Sequence, residues 1–115
     1  MQTVMSISTL YNLTKEMAKI TSGALEKKGK IENLLVLEAK HQNGIVGLSQ
    51  DATFLEQSVS KLEKSGDHLM RVLVLSIIIE SQNPDLLKQA IALEAYLIYE
   101  GHPYRFVSDE AFAYL

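Results

Sequence analysis

Two strongly apolar stretches lie next to each other in the C-terminal half of this 115-residue chain, and they limit its possible folds more than any other feature. Nine of the eleven residues in 69–79 are apolar, as are eleven of the fourteen in 86–99. A helix that is apolar on nearly every side is buried on nearly every side. The sequence therefore predicts a central helical hairpin with five almost fully buried residues: Leu73, Ile77, Leu87, Ile91 and Leu97.

The first of these stretches has features of both a helix and a strand. Its length exceeds that of the usual strand and favours a helix. Its β-branched residues favour a strand; they are Val72, Val74, Ile77, Ile78 and Ile79. We predict a helix, because no second stretch of similar quality exists to pair with it as a strand.

The boundaries of this hairpin carry clear sequence signals. Asp67 is a candidate cap for a helix from His68 to about Gln82. In Asn83-Pro84-Asp85, the asparagine side chain is suited to cap the N-terminus of a helix, and proline is suited to the first helical position. The aspartate charge interacts favourably with the helix dipole. This last helix of the hairpin should run to Tyr99 or Glu100, because Gly101 favours a stop.

Three further helices are expected in the first 66 residues. A seam of apolar residues three and four apart predicts a helix from about Ser8 to Lys28, stopped by Gly29. A second helix opens at Ile31 and ends near Asn43-Gly44, with 44–47 as a connector or very short strand. Leu48-Ser49 then suggests an N-cap for a third helix that ends at Lys64-Ser65-Gly66, with a buried face of Phe54, Leu55, Val59 and Leu62.

These elements predict an all-α fold. We expect one domain, 1–115, of five or six helices, the sixth being a short helix capped within 108–110. The composition, 47% apolar and 22% charged, is ordinary for a globular protein. The chain has no cysteine, which excludes disulfides and thiolate catalysis and fits the reducing cytoplasm. No secretory signal is visible, and 69–79 is too short to span a bilayer, so we predict a cytoplasmic protein without a membrane partner.

Aromatic residues are concentrated at the end of the chain. Six of the eight lie within 96–115. Aromatic side chains bury large areas and dominate interfaces, so this segment should fold back over the hairpin or dock on another chain. We predict four partner-binding residues, with Phe106 anchored inward and Tyr104 at the interface: Tyr96, Tyr99, Tyr104 and Phe106.

Few titratable residues form a pattern that indicates chemistry. Glu38 and His41 share a helix face, but a di-metal site needs a second Glu-x-x-His, which is absent. We predict a helix-surface contact there, with neither a metal nor another cofactor. Glu94 lies in the apolar stretch and is expected on one narrow polar stripe; if it is buried instead, it must be paired. Arg71 is a candidate partner for an acidic residue of the hairpin.

Residues 49–66 resemble in texture the recognition helix of winged helix-turn-helix regulators, which often ends in Leu-Glu-Lys-x-Gly. The resemblance implies DNA binding. Two features oppose it: Asp51 and Glu56 would repel phosphate, and Gln42-Asn43-Gly44 occupies the place of the preceding helix.

The function that best fits these features is binding of another protein, without enzymatic activity. We expect a small cytoplasmic adaptor, secretion-type chaperone, immunity protein or regulator that uses an apolar helical groove and the aromatic tail. The partner is another protein or a second copy, most simply in a twofold homodimer. The alternatives are a DNA-binding regulator and a small metal- or ligand-binding helical enzyme.

Overall fold

The structure, a computed structural model, describes residues 5–23, 28–101 and 105–107, and all regular structure in these ranges is helical. The predicted all-α class is thereby confirmed for this part of the chain. The predicted sixth helix and Tyr104 lie outside the described residues. Five helices occur in order: α1 (Ile7–Gly23), α2 (Lys28–Ser49), α3 (Ala52–Lys64), α4 (His68–Glu80) and α5 (Pro84–Tyr99).

The chain divides into two compact units, residues 1–48 and 49–115. The N-terminal unit contains α1 and nearly all of α2. The C-terminal unit contains α3, α4 and α5, and each of these three helices packs against the other two.

The N-terminal unit corrects three predicted boundaries. The first helix ends at Gly23 rather than at Lys28, and Gly29 opens α2 instead of stopping α1. The second helix continues through Asn43-Gly44 to Ser49, so 44–47 is neither a connector nor a strand.

The packing at Gly44 explains why this glycine lies inside a helix. A Cβ atom there would lie 2.9 Å from Leu10 Cδ1 and 3.1 Å from Met5 Sδ. Leu10 is fully buried, so its side chain has little room to move away. Gly44 therefore serves the close approach of α1 to α2, and this packing outweighs the cost of glycine in a helix.

The core of the C-terminal unit contains apolar side chains from all three of its helices. Four of the five predicted core residues are buried: Leu73, Ile77, Leu87 and Leu97. The prediction for Ile91 is wrong, because its side chain is only half-buried. Ile91 lies at the edge of the buried face of α5, where neighbouring helices cover only part of it.

Three helices of this unit begin at side-chain caps. The predicted caps Asp67 and Asn83 are confirmed: Asp67 accepts from the Leu69 N–H at 2.9 Å, and Asn83 from the Asp85 N–H at 3.1 Å. The predicted cap Ser49 is wrong. Asp51 caps α3 instead and accepts from the Phe54 N–H at 3.2 Å, since α2 extends through Ser49.

Residues 69–79 form part of helix α4, as predicted. The turn to α5 contains Gln82 in the left-handed region, with φ of 56°. Helix α5 ends at Tyr99, and Gly101 follows with φ of 97°, a conformation that favours glycine. None of the helices in the described part of the chain has the length and apolar character needed to cross a membrane.

Candidate binding surface on helix α5

Helix α5 has two apolar faces, and only one of them is covered. The covered face contains Leu87, Ala90, Glu94 and Leu97, all of them buried. The opposite face contains four exposed residues, which we call the α5 stripe: Ala92, Ala95, Tyr96 and Tyr99. Their spacing of i, i+3, i+4 and i+7 places them side by side on the helix surface.

The two tyrosines make the stripe unusual for a surface. Tyr96 is 55% exposed and Tyr99 is 86% exposed. Single exposed apolar residues are normal on protein surfaces, whereas contiguous apolar patches mark interaction sites. Apart from Pro84, the exposed residues of the first turns of α5 are polar, namely Asp85, Lys88 and Gln89. Beyond Pro84, the exposed apolar residues of α5 thus lie in the second half of the helix.

The covered face of α5 also holds the segment 105–107. Glu94, which was expected on a polar stripe, is only 4% exposed, so that expectation is wrong. One of its carboxylate oxygens, Oε2, accepts from the N–H groups of Phe106, at 2.8 Å, and Val107. The other, Oε1, lies 3.5 Å from Arg105 Nε. A buried carboxylate needs such partners, and here they attach the chain after α5 back to the helix.

Arg71 contacts the same segment from helix α4. Its Nε donates to the Leu62 carbonyl at 3.1 Å, and its guanidinium carbon lies 5.8 Å from the centre of the Phe106 ring. Leu62 lies in the last turn of α3, where carbonyls lack helical partners. Arg71 therefore caps α3 and packs on Phe106. It makes no bond to a carboxylate of the described residues, so the partner predicted for it is wrong.

The predicted partner-binding residues fall into two groups. Tyr96 and Tyr99 lie together on the α5 stripe. Phe106 is 5% exposed and packs inward, so it is not accessible to a partner while 105–107 stays docked. Ala92 and Ala95 were not among the predicted binding residues, although their spacing from the tyrosines is visible in the sequence.

The pair Glu38 and His41 is part of the N-terminal unit. His41 Nε2 lies 2.7 Å from Thr14 Oγ1, and the Thr14 hydroxyl donates to the Leu10 carbonyl. Because a hydroxyl has one hydrogen, His41 Nε2–H is the donor to Thr14. Partial burial lowers the pKa of His41 from its ordinary value. Within the described ranges, no three His, Cys, Asp or Glu residues are grouped so that they could hold a metal ion.

Two other features concern the alternative functions of DNA binding and ligand binding. Helix α2 directly precedes α3, which corrects the expectation that a helix is missing there. In α3, however, Glu56 and Glu63 offset Lys61 and Lys64, so this helix has no excess of basic residues for binding phosphate. A cavity at the α4–α5 turn has a volume of about 10 Å³, enough for a water molecule. It is lined by Ile78, Ile79, Gln82, Asn83, Pro84 and Leu87.

The sequence matches no protein-family model, and no curated protein or solved structure gives a significant match.

Proposed function

We propose that this protein is a small protein-binding module that uses the α5 stripe to pack against an apolar helix of its partner. The observation that carries the proposal is the exposure of Tyr96 and Tyr99 beside Ala92 and Ala95 on one helix face. Amphipathic helices bind in this way through anchors at i, i+3, i+4 and i+7.

The chemistry of the stripe supports helix packing in particular. The two alanines allow a partner backbone to approach closely, and the tyrosines supply large rigid surfaces that lose little entropy on binding. Each tyrosine hydroxyl can keep a hydrogen bond at the rim of such a contact. An adaptor, secretion-type chaperone, immunity protein or regulator of the cytoplasm would use this surface, and the absence of cysteine fits that compartment.

The experiment compares two doubly substituted proteins, each tagged and produced in the host of origin. Tyr96→Ser/Tyr99→Ser removes the aromatic part of the stripe. Leu35→Ser/Val36→Ser is the matched control, because Leu35 and Val36 are 60% and 56% exposed on α2. Chemical crosslinking and quantitative mass spectrometry then measure what each protein retains.

We expect the wild-type and control proteins to retain the same partner, which can be a second copy of the chain. The doubly substituted tyrosine variant should lose at least about nine tenths of it, since interface aromatics carry most of the binding energy. Equal recovery in all three proteins, with unchanged unfolding curves, would contradict the proposed function.

A further inference from the structure

We infer that the partner of the α5 stripe is a second copy of this chain, with the two α5 helices packed antiparallel about a twofold axis. The inference rests on the proposed function, because it names the occupant of the same stripe. It adds a register: the twofold axis lies level with position 94, on the exposed side of the helix.

Two members of the stripe, Ala92 and Tyr96, are complementary in size when the helix is reversed about position 94. Ala92 and Tyr96 lie two residues on either side of position 94. In an antiparallel pair, Ala92 is therefore level with the partner subunit's Tyr96, and the same contact occurs twice by symmetry. A small residue opposite a large one gives interdigitated packing. A parallel pair would place Tyr96 against the partner subunit's Tyr96 and leave the alanines facing each other.

The charges at the two ends of the stripe favour the same direction and register. Lys88 and Glu100 lie six residues on either side of position 94, and both are exposed. Antiparallel pairing brings each Lys88 level with the partner subunit's Glu100, whereas parallel pairing brings like charges together. With the axis level with position 94, the two α5 helices overlap over 89–99, so Lys88 and Glu100 lie just beyond the ends of the overlap and Asp85 lies almost one turn further out. Charges at the rim of an interface contribute modestly to affinity but determine orientation.

The length of the stripe limits the affinity of this dimer. From Ala92 to Tyr99 the helix rises about 11 Å, so the contact is smaller than the roughly 800 Å² per partner of standard interfaces. We therefore expect a closed dimer with a dissociation constant in the micromolar range or weaker. Twofold contacts use the same patch on both copies and leave no second patch for further growth.

A charge exchange tests the register directly. Sedimentation equilibrium from about 10 µM to about 1 mM, in low salt, measures the dimer dissociation constant. Lys88→Glu should raise this constant about tenfold or more, because both symmetric pairs become repulsive. Glu100→Lys should do the same. The combination Lys88→Glu/Glu100→Lys should return it to within about twofold of the wild-type value.

The control is Lys40→Glu on α2, which makes the same charge change at another exposed lysine and should leave the dissociation constant unchanged. Thermal unfolding of each variant shows whether the fold is intact. A wild-type protein that stays monomeric to about 1 mM would overturn the inference. So would a double variant as weak as the single ones.

The outcomes also separate this inference from the proposed function. Suppose that the wild-type chain is monomeric but retains another protein, and that Tyr96→Ser/Tyr99→Ser no longer retains it. Self-association is then contradicted, and the proposed binding function stands. If that variant changes neither the oligomeric state nor the recovery of any protein, both fail.

Discussion

The covered and exposed faces of helix α5 have similar apolar character and different surroundings. Helices α3 and α4 pack against α5, while the stripe that contains Tyr96 and Tyr99 remains exposed. The covered face even contains a carboxylate, Glu94, whereas the central positions of the exposed stripe contain no charge. Apolar composition alone therefore does not determine burial. One face of this helix packs in the fold, and the other remains exposed, where we propose that a partner binds.

The largest expected difference between the two faces is in how much their side chains contribute to the free energy of unfolding. Leu87→Ala removes a side chain that is 2% exposed and should lower the free energy of unfolding by about 2–5 kcal/mol. Tyr96→Ala on the stripe should change it by less than about 0.5 kcal/mol. Denaturant unfolding followed by circular dichroism measures both. Equal losses would mean that the stripe belongs to the core.

The carboxylate of the covered face should have the next largest effect. Glu94→Ala leaves the N–H groups of Phe106 and Val107 without their acceptor. We expect a loss of about 2–4 kcal/mol in the free energy of unfolding, since buried unpaired donors are costly. Glu94→Gln keeps a carbonyl acceptor and should lose less. The control Glu56→Gln, at an exposed position on α3, should have almost no effect. If Glu94→Ala is as mild as the control, segment 105–107 does not depend on this carboxylate.

Two glycines, Gly44 in the N-terminal unit and Gly66 in the C-terminal unit, allow the same comparison between a covered and an open position. In Gly44→Ala, the new methyl group would meet the buried Leu10 side chain at 2.9 Å. Overpacking should exceed the gain in helix propensity and leave a net loss of about 1 kcal/mol. Gly66→Ala, with no atom within 4 Å of its Cβ, should be neutral or slightly stabilising. A stabilising Gly44→Ala would show that the approach of α1 to α2 is loose.

The smallest effect concerns His41 and pH. The folded protein holds the pKa of His41 below its ordinary value of 6.5, so the unfolded chain binds more protons in the window between the two pKa values. Stability should therefore rise with pH through that window and fall as the pH is lowered from about 6.5. His41→Gln should flatten this dependence when the free energy of unfolding is measured from about pH 5 to 8. An unchanged pH profile in that variant would show that His41 does not cause the pH dependence of stability.

The sequence was sufficient for the C-terminal unit wherever local chemistry decides the structure. The caps Asp67 and Asn83, the stop at Gly101 and the helical state of 69–79 follow from residue types and spacing. The cap at Asp51 was missed because the end of α2 was misplaced, and the N-cap was then sought at Ser49.

The sequence was insufficient where packing against a neighbouring element determines the local structure or the burial of a residue. Gly44 has the local pattern of a helix stop, and only the proximity of Leu10 explains its place inside α2. Glu94 looked like part of a polar stripe, because nothing local shows that the N–H groups of Phe106 and Val107 would meet it. The half-buried state of Ile91 depends likewise on how far α3 and α4 extend over α5.

The central proposal is that the α5 stripe associates with a second copy of the chain, while the opposite face of the same helix supports the fold. The most direct measurement is an NMR dilution series, from about 1 mM to about 20 µM, on protein labelled at alanine and leucine methyl groups and tyrosine rings. We predict that resonances of Ala92, Ala95, Tyr96 and Tyr99 shift with concentration, while those of Leu87, Leu97 and Leu35 do not. Concentration-independent resonances throughout, or shifts confined to Leu35, would contradict the claim.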